Sequence, residues 1–169
     1  TVTEAKEVLE SLKEDQQEMI DLTNSLLLLS QYENISYSSN WPIVRIDEVI
    51  YDSIAAAQKT NEDININFEF TATPEKEAYL CIQGNEPLLR SAFRNIIKNA
   101  YKYSDNKSLT ITMEAYANAV HIHFDNTGPT INAEDIDRLF LAFFRGTNAA
   151  QKKGFGLGLA IVKRNFDTI

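Results

Sequence analysis

The segment Glu86–Tyr103 constrains the fold more than any other, because one helical pattern carries two opposed faces. Asn95, Asn99 and Lys102 are spaced by four and three residues, so they share one stripe of a helix. Polar residues on a solvated face would also explain this stripe. The other face is apolar at helical spacing and is predicted to enter a hydrophobic core; its members are Leu89, Phe93, Ile96, Ile97 and Ala100. A fold that holds this helix must bury one side and present an amide and amine cluster on the other.

The patterns around this helix predict an α+β fold, a two-layer α/β sandwich in which helices cover one face of a mixed sheet. Asp47 is expected to cap the first helix of this domain. Strands are predicted from alternating or short apolar runs, and helices from apolar residues at intervals of three and four. The predicted order is a strand at residues 42–46, a helix at 47–58, strands at 64–70 and 78–83, the helix Glu86–Tyr103, a hairpin of 108–116 and 119–126, and a last helix that begins at 157–164.

A long coiled-coil-like helix is predicted ahead of this domain. Its apolar residues follow the alternating three- and four-residue spacing of a packing seam, which only Asp15 interrupts; the seam comprises Ala5, Val8, Leu12, Asp15, Met19, Leu22, Leu26 and Leu29. The alternative is one amphipathic helix that lies on its own domain. Residues 34–41 are rich in Ser and Asn and are predicted to form a hinge. The predicted domains are therefore residues 1–33 and 42–169.

The charge balance disfavours a nucleic-acid surface. The chain has 16 Lys and Arg against 24 Asp and Glu, for a formal net charge of −8, whereas binding to a phosphate backbone rests on many basic contacts. Any anionic ligand must then be held by a local site. The single cysteine, Cys81, is expected to be a buried reduced thiol. The longest wholly aliphatic runs are too short to span a membrane.

Four segments resemble, in their order and spacing, the sequence boxes of bacterial sensor histidine kinases. The first, LLRSAFRNIIKNAYKYS at residues 88–104, resembles the N box of these kinases and of the wider group of ATPases that share their Bergerat-type fold. The resemblance implies that the amide oxygen of Asn99 binds the Mg²⁺ carried by ATP, and that Asn95 lies one turn behind it. It also implies that Lys102 and Tyr103 contact the phosphates. One neutral amide suffices, because Mg²⁺ keeps several waters and takes few protein oxygens.

The second segment, HFDNTGPTI at residues 123–131, resembles the G1 box of the form D-x-G-x-G, but departs from it at two positions. If Gly128 is the first glycine, Asn126 stands in place of the adenine-reading acid and Thr130 in place of the second glycine. Asn126 still offers an oxygen to the adenine amino group, without the assistance of a charge. Whether Asn126 or Asp125 reads adenine stays open, and an ordinary turn at the end of a strand is the alternative.

The third segment, RLFLAFFR at residues 138–145, resembles the F box, which anchors the front of a lid over the nucleotide. The resemblance implies a catalytic role for Arg145, which would point toward the γ-phosphate, where a guanidinium stabilises developing charge. Phe140, Phe143 and Phe144 are then anchors of the lid. They would equally suit the core of a domain, which is the commoner place for such aromatics.

The fourth segment, KKGFGLGLAIVKR at residues 152–164, resembles the G2 box and is the best match of the four. Its glycines, Gly154, Gly156 and Gly158, run directly into an apolar helix, and Leu157 lies between the last two. Backbone N–H groups at such a helix start face an anion at the positive end of the helix dipole. A dinucleotide fingerprint and a P-loop are excluded, because no G-x-G-x-x-G opens a βαβ unit and no G-K-[ST] is present.

The resemblance implies an enzyme: the ATP-binding catalytic domain of a two-component sensor histidine kinase. It would transfer the γ-phosphoryl group of ATP to a histidine outside this chain, on the first helix of a dimerisation hairpin whose second helix the amino-terminal helix resembles. The implied partners are ATP, this hairpin in a homodimer, and the receiver domain of a response regulator, whose aspartate is the next acceptor. We expect no self-phosphorylation and a cytoplasmic location, with membrane attachment only through other parts of a full-length protein. We also expect the sheet to lack its last strands, since the sequence stops at Ile169.

Two alternatives remain open. Hydrolysing ATPases of this fold carry a glutamate as the water-activating base four residues before the magnesium-binding asparagine, where this chain has Asn95. An amide cannot take a proton at neutral pH, which favours transfer to a protein acceptor over hydrolysis. The second alternative is a nucleotide-binding or dimerisation module without kinase activity, which the altered G1 box would permit.

Overall fold

A computed structural model describes residues 41–149, 152 and 154–169, together with positions 5, 6, 8, 9, 12, 13, 16, 19, 20, 22–24, 26 and 27. From residue 41 onward the described chain alternates helices and strands. These are β1 (Ile43–Arg45), α1 (Ile46–Thr60), β2 (Asn65–Phe70), β3 (Cys81–Gln83), α2 (Glu86–Tyr103), β4 (Ser108–Ala115), β5 (Val120–Asp125), α3 (Ala133–Ile136) and α4 (Gly158–Thr168), with 3₁₀ turns at Glu77–Leu80 and Thr147–Ala149.

The described strands form two hydrogen-bonded sheets. Strand β4 is the centre of a mixed sheet, with β2 parallel to it on one side and β5 antiparallel on the other. Strands β1 and β3 pair antiparallel in a small separate sheet, which the sequence analysis did not distinguish. Leu109, Ile111 and Met113 are buried, because the alternation of β4 turns them toward the helices. The predicted two-layer sandwich of a mixed sheet and helices is confirmed.

Helix α2 has the bounds predicted for it and joins the parts of the helical layer. Asn85 caps it, since its side-chain oxygen accepts a hydrogen bond from the Leu88 N–H at 3.2 Å. The helix packs against both α1 and α4, and also contacts β4. Phe93 is wholly buried, and its ring centroid lies 5.9 Å from that of Phe124 on β5 and 6.2 Å from that of Phe166 on α4. The core therefore closes around the apolar face of α2.

Two local features differ from the sequence expectations. Helix α1 begins at Ile46 with Arg45 as its N-cap, so Asp47 lies in the first turn and is not the cap. The Asp47 carboxylate instead accepts a hydrogen bond from Arg45 Nε at 3.1 Å, near the positive end of the helix dipole. The predicted strand at residues 78–83 is shortened to β3, because a 3₁₀ turn precedes it.

Two side chains and the end of one helix also differ from the sequence expectations. Cys81 is exposed and not buried, since it is an outward-facing residue of β3 while Ile82 packs against the core. Ile96 was expected in the core but is only half-buried, because it lies at the edge between the two faces of α2. Helix α4 continues to Thr168, beyond the last residue of the predicted pattern.

The described positions between residues 5 and 27 are all helical. Among the seam residues, Leu12, Met19 and Leu26 are exposed. Asp15, Leu29 and residues 34–40 of the predicted hinge lie outside the described residues, so the domain bounds stay a prediction. No helix in the described part of the chain combines the length and apolar character that crossing a membrane requires.

We predict that Phe93→Ala lowers the free energy of unfolding by about 3–5 kcal/mol, because a wholly buried ring is replaced by a cavity. Phe166→Ala is the matched control. Its ring also contacts Phe93 but is 45% exposed, so its loss should cost about 1 kcal/mol. Urea denaturation followed by circular dichroism measures both changes. Equal costs for the two variants would contradict the central position of Phe93.

Candidate functional site

A cavity of about 620 Å³ opens between α2, the loop after β5 and the segment that leads into α4. Asp125, the open alternative to Asn126, is exposed and is absent from the described lining. Every other site residue named from the sequence lines this cavity: Asn95, Asn99, Lys102, Tyr103, Asn126, Gly128, Arg145, Gly154, Gly156, Leu157 and Gly158. The fold thus brings together residues from three separate stretches of the sequence.

The cavity is cationic although the chain as a whole is acidic. Lys98, Lys102 and Arg145 line it, and none of the lining residues that the structure describes is Asp or Glu. The whole chain has a formal net charge of −8. A concave wall that carries one sign of charge focuses the field inside it. The cavity is therefore suited to a polyanion despite the overall charge.

Two amide oxygens of α2 face the start of α4. A Cβ placed on Gly158, the first residue of α4, would lie 3.4 Å from Asn95 Oδ1 and 3.5 Å from Asn99 Oδ1. The Asn95 amide is held in place, because its Nδ2 donates a hydrogen bond to the Ser91 carbonyl at 2.8 Å. The amide pair of the polar stripe is thus next to the positive end of the α4 dipole.

The glycine segment before α4 lies closely against the described residues 138–149 and 152, which contain the F box and are hereafter called the lid. Gly156 has φ +72°, and a Cβ there would lie 2.3 Å from the Phe144 carbonyl oxygen. The Phe143 N–H also donates a hydrogen bond to the Gly156 carbonyl at 3.0 Å. Leu157, the N-cap of α4, is buried and makes no side-chain capping bond. The N–H groups of the first turn are therefore not capped by a side chain, as an anion site at a helix start requires.

The cationic groups lie beside Tyr103. Lys102 Nζ is 5.4 Å from the centroid of the Tyr103 ring, and a Cβ on Gly154 would lie 2.6 Å from this same atom. Burial raises the pKa of the Tyr103 hydroxyl, and the positive charge of Arg145 partly offsets the rise. The hydroxyl therefore stays protonated at neutral pH and is able to donate a hydrogen bond.

Arg145 is bound to the backbone of the lid in this structure. Its Nη2 donates hydrogen bonds to the carbonyls of Ala149, at 2.5 Å, and of Lys152. The front of the lid is held by Asp135, which is buried and accepts a hydrogen bond from the Thr147 N–H at 3.1 Å. Arg145 was predicted to belong to the site, but no feature of the sequence indicates these carbonyl partners.

The F-box aromatics are mostly outside the core. Phe140 and Phe143 are 45% and 61% exposed. Phe144 is half-buried and lines the cavity, and the Arg138 guanidinium lies 4.3 Å from its ring centroid. The reading of these residues as core aromatics is therefore wrong, whereas Phe144 does contribute to the cavity wall.

The loop after β5 is fixed to the end of α2. A Cβ on Gly128 would lie 2.5 Å from the Tyr103 carbonyl oxygen, so only glycine permits this approach. The Thr127 carbonyl accepts hydrogen bonds from the Asp105 N–H at 3.1 Å and from Asn126 Nδ2 at 3.1 Å. Asn126 thus has a defined position at the cavity wall.

The apolar part of the cavity was largely missed from the sequence. Phe124 was recognisable as an inward-facing residue of an alternating strand, but its place beside a cavity was not. Leu22 of the amino-terminal helix and Thr130 of the second box are lining residues as well. Phe144 was assigned only as a lid anchor, and the other lining residues not assigned to the site beforehand are Ile96, Lys98, Ala100, Pro129, Ile131, Leu139, Gly146, Ala149, Phe155 and Leu159.

The oxygen donors of the cavity fit Mg²⁺ only if a bound phosphorylated molecule supplies further oxygen ligands. The described residues contain no group of three His, Cys, Asp or Glu side chains that could hold a metal ion. The Asn99 amide oxygen is a hard oxygen donor beside an anion site, and Mg²⁺ accepts one such ligand together with phosphate oxygens and waters. The residues therefore fit a magnesium ion that arrives with a phosphorylated ligand.

Residues 84–168 match the family of histidine kinase-, DNA gyrase B- and HSP90-like ATPases. This stretch contains α2 with the amides Asn95 and Asn99, and it contains the glycine segment before α4. It covers half of the chain. The chain belongs to this family. As a member of this ATPase family it has an ATP-binding domain, and the cavity described above is the candidate for its binding site.

The individual similarities point to sensor kinases. The chain is 31% identical to the phosphate regulon sensor protein PhoR of Pseudomonas aeruginosa, over 92% of this chain and 35% of the relative. It is 30% identical to the sensor histidine kinase CpxA of Escherichia coli, over 95% of this chain and 34% of the relative. The crystal structure of full-length ShkA in complex with AMPPNP has the same fold, with a TM-score of 0.71 and 22% sequence identity. The match covers 96% of this chain and 34% of the ShkA chain. The chain spans about a third of the length of these relatives.

We predict that Gly156→Ala destabilises the protein by about 1–3 kcal/mol and loosens the lid, because alanine is strained at φ +72° and its Cβ would collide with the Phe144 carbonyl. Gly84→Ala is the control, since the nearest atom there, at 3.1 Å, is the end of the Ile169 side chain. Thermal unfolding measures the stability, and hydrogen exchange at the Phe143 amide measures the lid contact. Unchanged exchange at this amide in Gly156→Ala would contradict the contact.

Proposed function

We propose that this chain is the catalytic domain of a two-component sensor histidine kinase, and that it transfers the γ-phosphoryl group of ATP to a histidine outside this chain. The observation that carries the proposal is the cavity itself. Its described lining combines three cations and an uncapped helix start with a wall of aliphatic and aromatic side chains. A triphosphate requires the cations and the helix start, and a purine base requires the aliphatic and aromatic wall. The sensor kinases among the relatives, and the ATP analogue bound to ShkA, support the same reading.

The phosphate end would be formed by α2 and the start of α4. Lys102 supplies a positive charge, the Tyr103 hydroxyl donates a hydrogen bond, and N–H groups at Gly156, Leu157 and Gly158 bind phosphate oxygens at the helix N-terminus. The backbone donors lie in a segment that is bound to the lid, because the Phe143 N–H donates a hydrogen bond to the Gly156 carbonyl. Gly154 allows the Lys102 ammonium to approach this segment, because a Cβ there would lie only 2.6 Å from it.

Asn99 is the residue we assign to magnesium, through its Oδ1. Mg²⁺ bound there and to phosphate oxygens would neutralise charge that develops as the γ-phosphoryl group departs. Asn95 would keep Asn99 and the α4 start at their spacing, since its Oδ1 faces the same glycine and its Nδ2 is held by the Ser91 carbonyl.

Arg145 would reach the γ-phosphate by exchanging partners. In the present arrangement its guanidinium binds the carbonyls of Ala149 and Lys152. Phosphate oxygens are stronger acceptors than these neutral carbonyls, because both partners then carry a charge. The transfer forms a bond between an imidazole nitrogen and the γ-phosphorus and breaks the bond to the oxygen that bridges to the β-phosphate, which releases ADP.

Position 95 holds an amide and not a carboxylate, which favours phosphoryl transfer to a protein over hydrolysis of ATP. The described lining contains neither a carboxylate nor an imidazole that would activate a water molecule. The acceptor would then be the histidine of a dimerisation hairpin in a homodimer, followed by the aspartate of a receiver domain. Such a domain would act in the cytoplasm, as part of a longer sensor protein.

We predict that Asn99→Ala abolishes the magnesium dependence of ATP binding and lowers the affinity for Mg-ATP about tenfold or more, as the loss of residues around metal sites commonly does. Arg94→Ala is the control, because this exposed residue lies on the same helix outside the described lining. Calorimetric titration with a non-hydrolysable ATP analogue, with and without Mg²⁺, measures both variants. Full magnesium dependence in Asn99→Ala would remove Asn99 from the metal site.

We predict that the 169-residue polypeptide binds ATP but does not phosphorylate itself. Its two histidines, His121 and His123, are exposed on β5 and are absent from the described cavity lining. Incubation with radiolabelled ATP should give acid-labile label only after a fragment with the complete dimerisation hairpin is added. Label on this polypeptide would refute the assignment, and rapid release of inorganic phosphate would favour the hydrolysing alternative. ATP binding with neither outcome would favour a binding module.

A further inference from the structure

Asn126 gives the base end of the cavity a chemistry that a carboxylate would not have. An ionised carboxylate only accepts hydrogen bonds, whereas an amide accepts through its oxygen and donates through its nitrogen. Asn126 is exposed and lines the cavity together with the apolar residues Phe124, Pro129 and Ile131. The side chain therefore faces the place where a base would lie with two kinds of polar atom.

One hydrogen bond sets the preferred orientation of this amide. Asn126 Nδ2 donates to the Thr127 carbonyl at 3.1 Å. That carbonyl is itself fixed, because it also accepts a hydrogen bond from the Asp105 N–H at 3.1 Å. With the nitrogen engaged in this way, the oxygen is the polar atom of the amide that keeps its full hydrogen-bonding capacity for a base. The resting orientation thus favours a base with a donor at its edge.

The two classes of purine present opposite groups at this edge. Adenine has an amino group at position 6, which donates to the Asn126 oxygen. A 6-oxopurine has a carbonyl at position 6, which accepts, so a hydrogen bond to this group requires the amide to turn over and offer its nitrogen. Turning it over gives up the bond to the Thr127 carbonyl. The cost is about one neutral hydrogen bond, which corresponds to roughly a two- to tenfold loss of affinity.

We propose that the site accepts 6-oxopurine nucleotides as well as adenine nucleotides, and that Asn126 is the residue that permits both. This inference rests on the proposed function, since it requires a purine nucleotide in the cavity. A carboxylate at the same position would bind the adenine amino group through a charge-assisted bond and would repel the 6-carbonyl oxygen. The selectivity for adenine is therefore small in this chain and would be large with an acid.

The test compares Mg-ATP with Mg-ITP, because the two differ only at position 6 and the adjacent ring nitrogen. Dissociation constants come from calorimetric titration of the full chain, and the shift in melting temperature with each nucleotide gives a second readout. Mg-ITP should bind about two- to tenfold more weakly than Mg-ATP. Asn126→Asp should widen this ratio by about a further tenfold or more. Asn126→Ala should bring it close to one, because neither base then meets a polar side chain.

Asp125→Asn is the matched control. It makes the neighbouring acid into an amide outside the described cavity lining, so the ratio of the two dissociation constants should not change. A shift of the ratio in Asp125→Asn, with none in Asn126→Asp, would assign base reading to Asp125 and overturn the inference. Mg-ITP binding more than about a hundredfold weaker than Mg-ATP in the unaltered chain would also overturn it. Binding of neither nucleotide would overturn the proposed function, and the inference with it.

Discussion

The structure depends on one helix that belongs to the core and to the cavity at once. Helix α2 inserts Phe93 and Ile97 into the interior while Asn95 and Asn99 face the start of α4. The amides cannot move independently of the core, because they project from the same rigid turns as the buried residues. The packing that makes the fold stable therefore also fixes the spacing between the amide oxygens and the amino-terminal end of α4.

Glycine makes the second half of this arrangement possible. The Gly128 and Gly156 positions bring loop backbone to within the distance at which any Cβ would collide with a carbonyl of α2 or of the lid. Side chains at these positions would push the two loops away from the end of α2 and from the lid. Close approach of backbone to backbone thus holds the loop after β5 against the end of α2 and the glycine segment against the lid.

The sequence predicted the elements with strong local signals and missed what depends on contacts between them. The bounds of α2 were right at both ends, because its apolar period is strong, and the structure adds an N-cap at Asn85 and a proline in the first turn. Asp47 was wrong as a cap, since Arg45 takes its carboxylate and the helix starts one residue earlier. Phe124 and Ile96 were recognisable as apolar residues, but only the three-dimensional arrangement of β5 and α2 brings them to a cavity. The carbonyl partners of Arg145 carry no sequence signal at all, because backbone acceptors are the same in every residue.

The neutral amides explain how an acidic chain holds a polyanion. The described residues of the cavity wall carry no negative charge. A carboxylate at position 95, 99 or 126 would add one, and it would repel a triphosphate at short range. An amide keeps the oxygen that magnesium or an amino group requires and omits the charge. The consequence is a loss of two abilities that an acid would give: Asn95 cannot take a proton from water, and Asn126 cannot exclude a carbonyl by repulsion. An amide in place of an acid thus favours phosphoryl transfer over hydrolysis at one end of the cavity and relaxes base selection at the other.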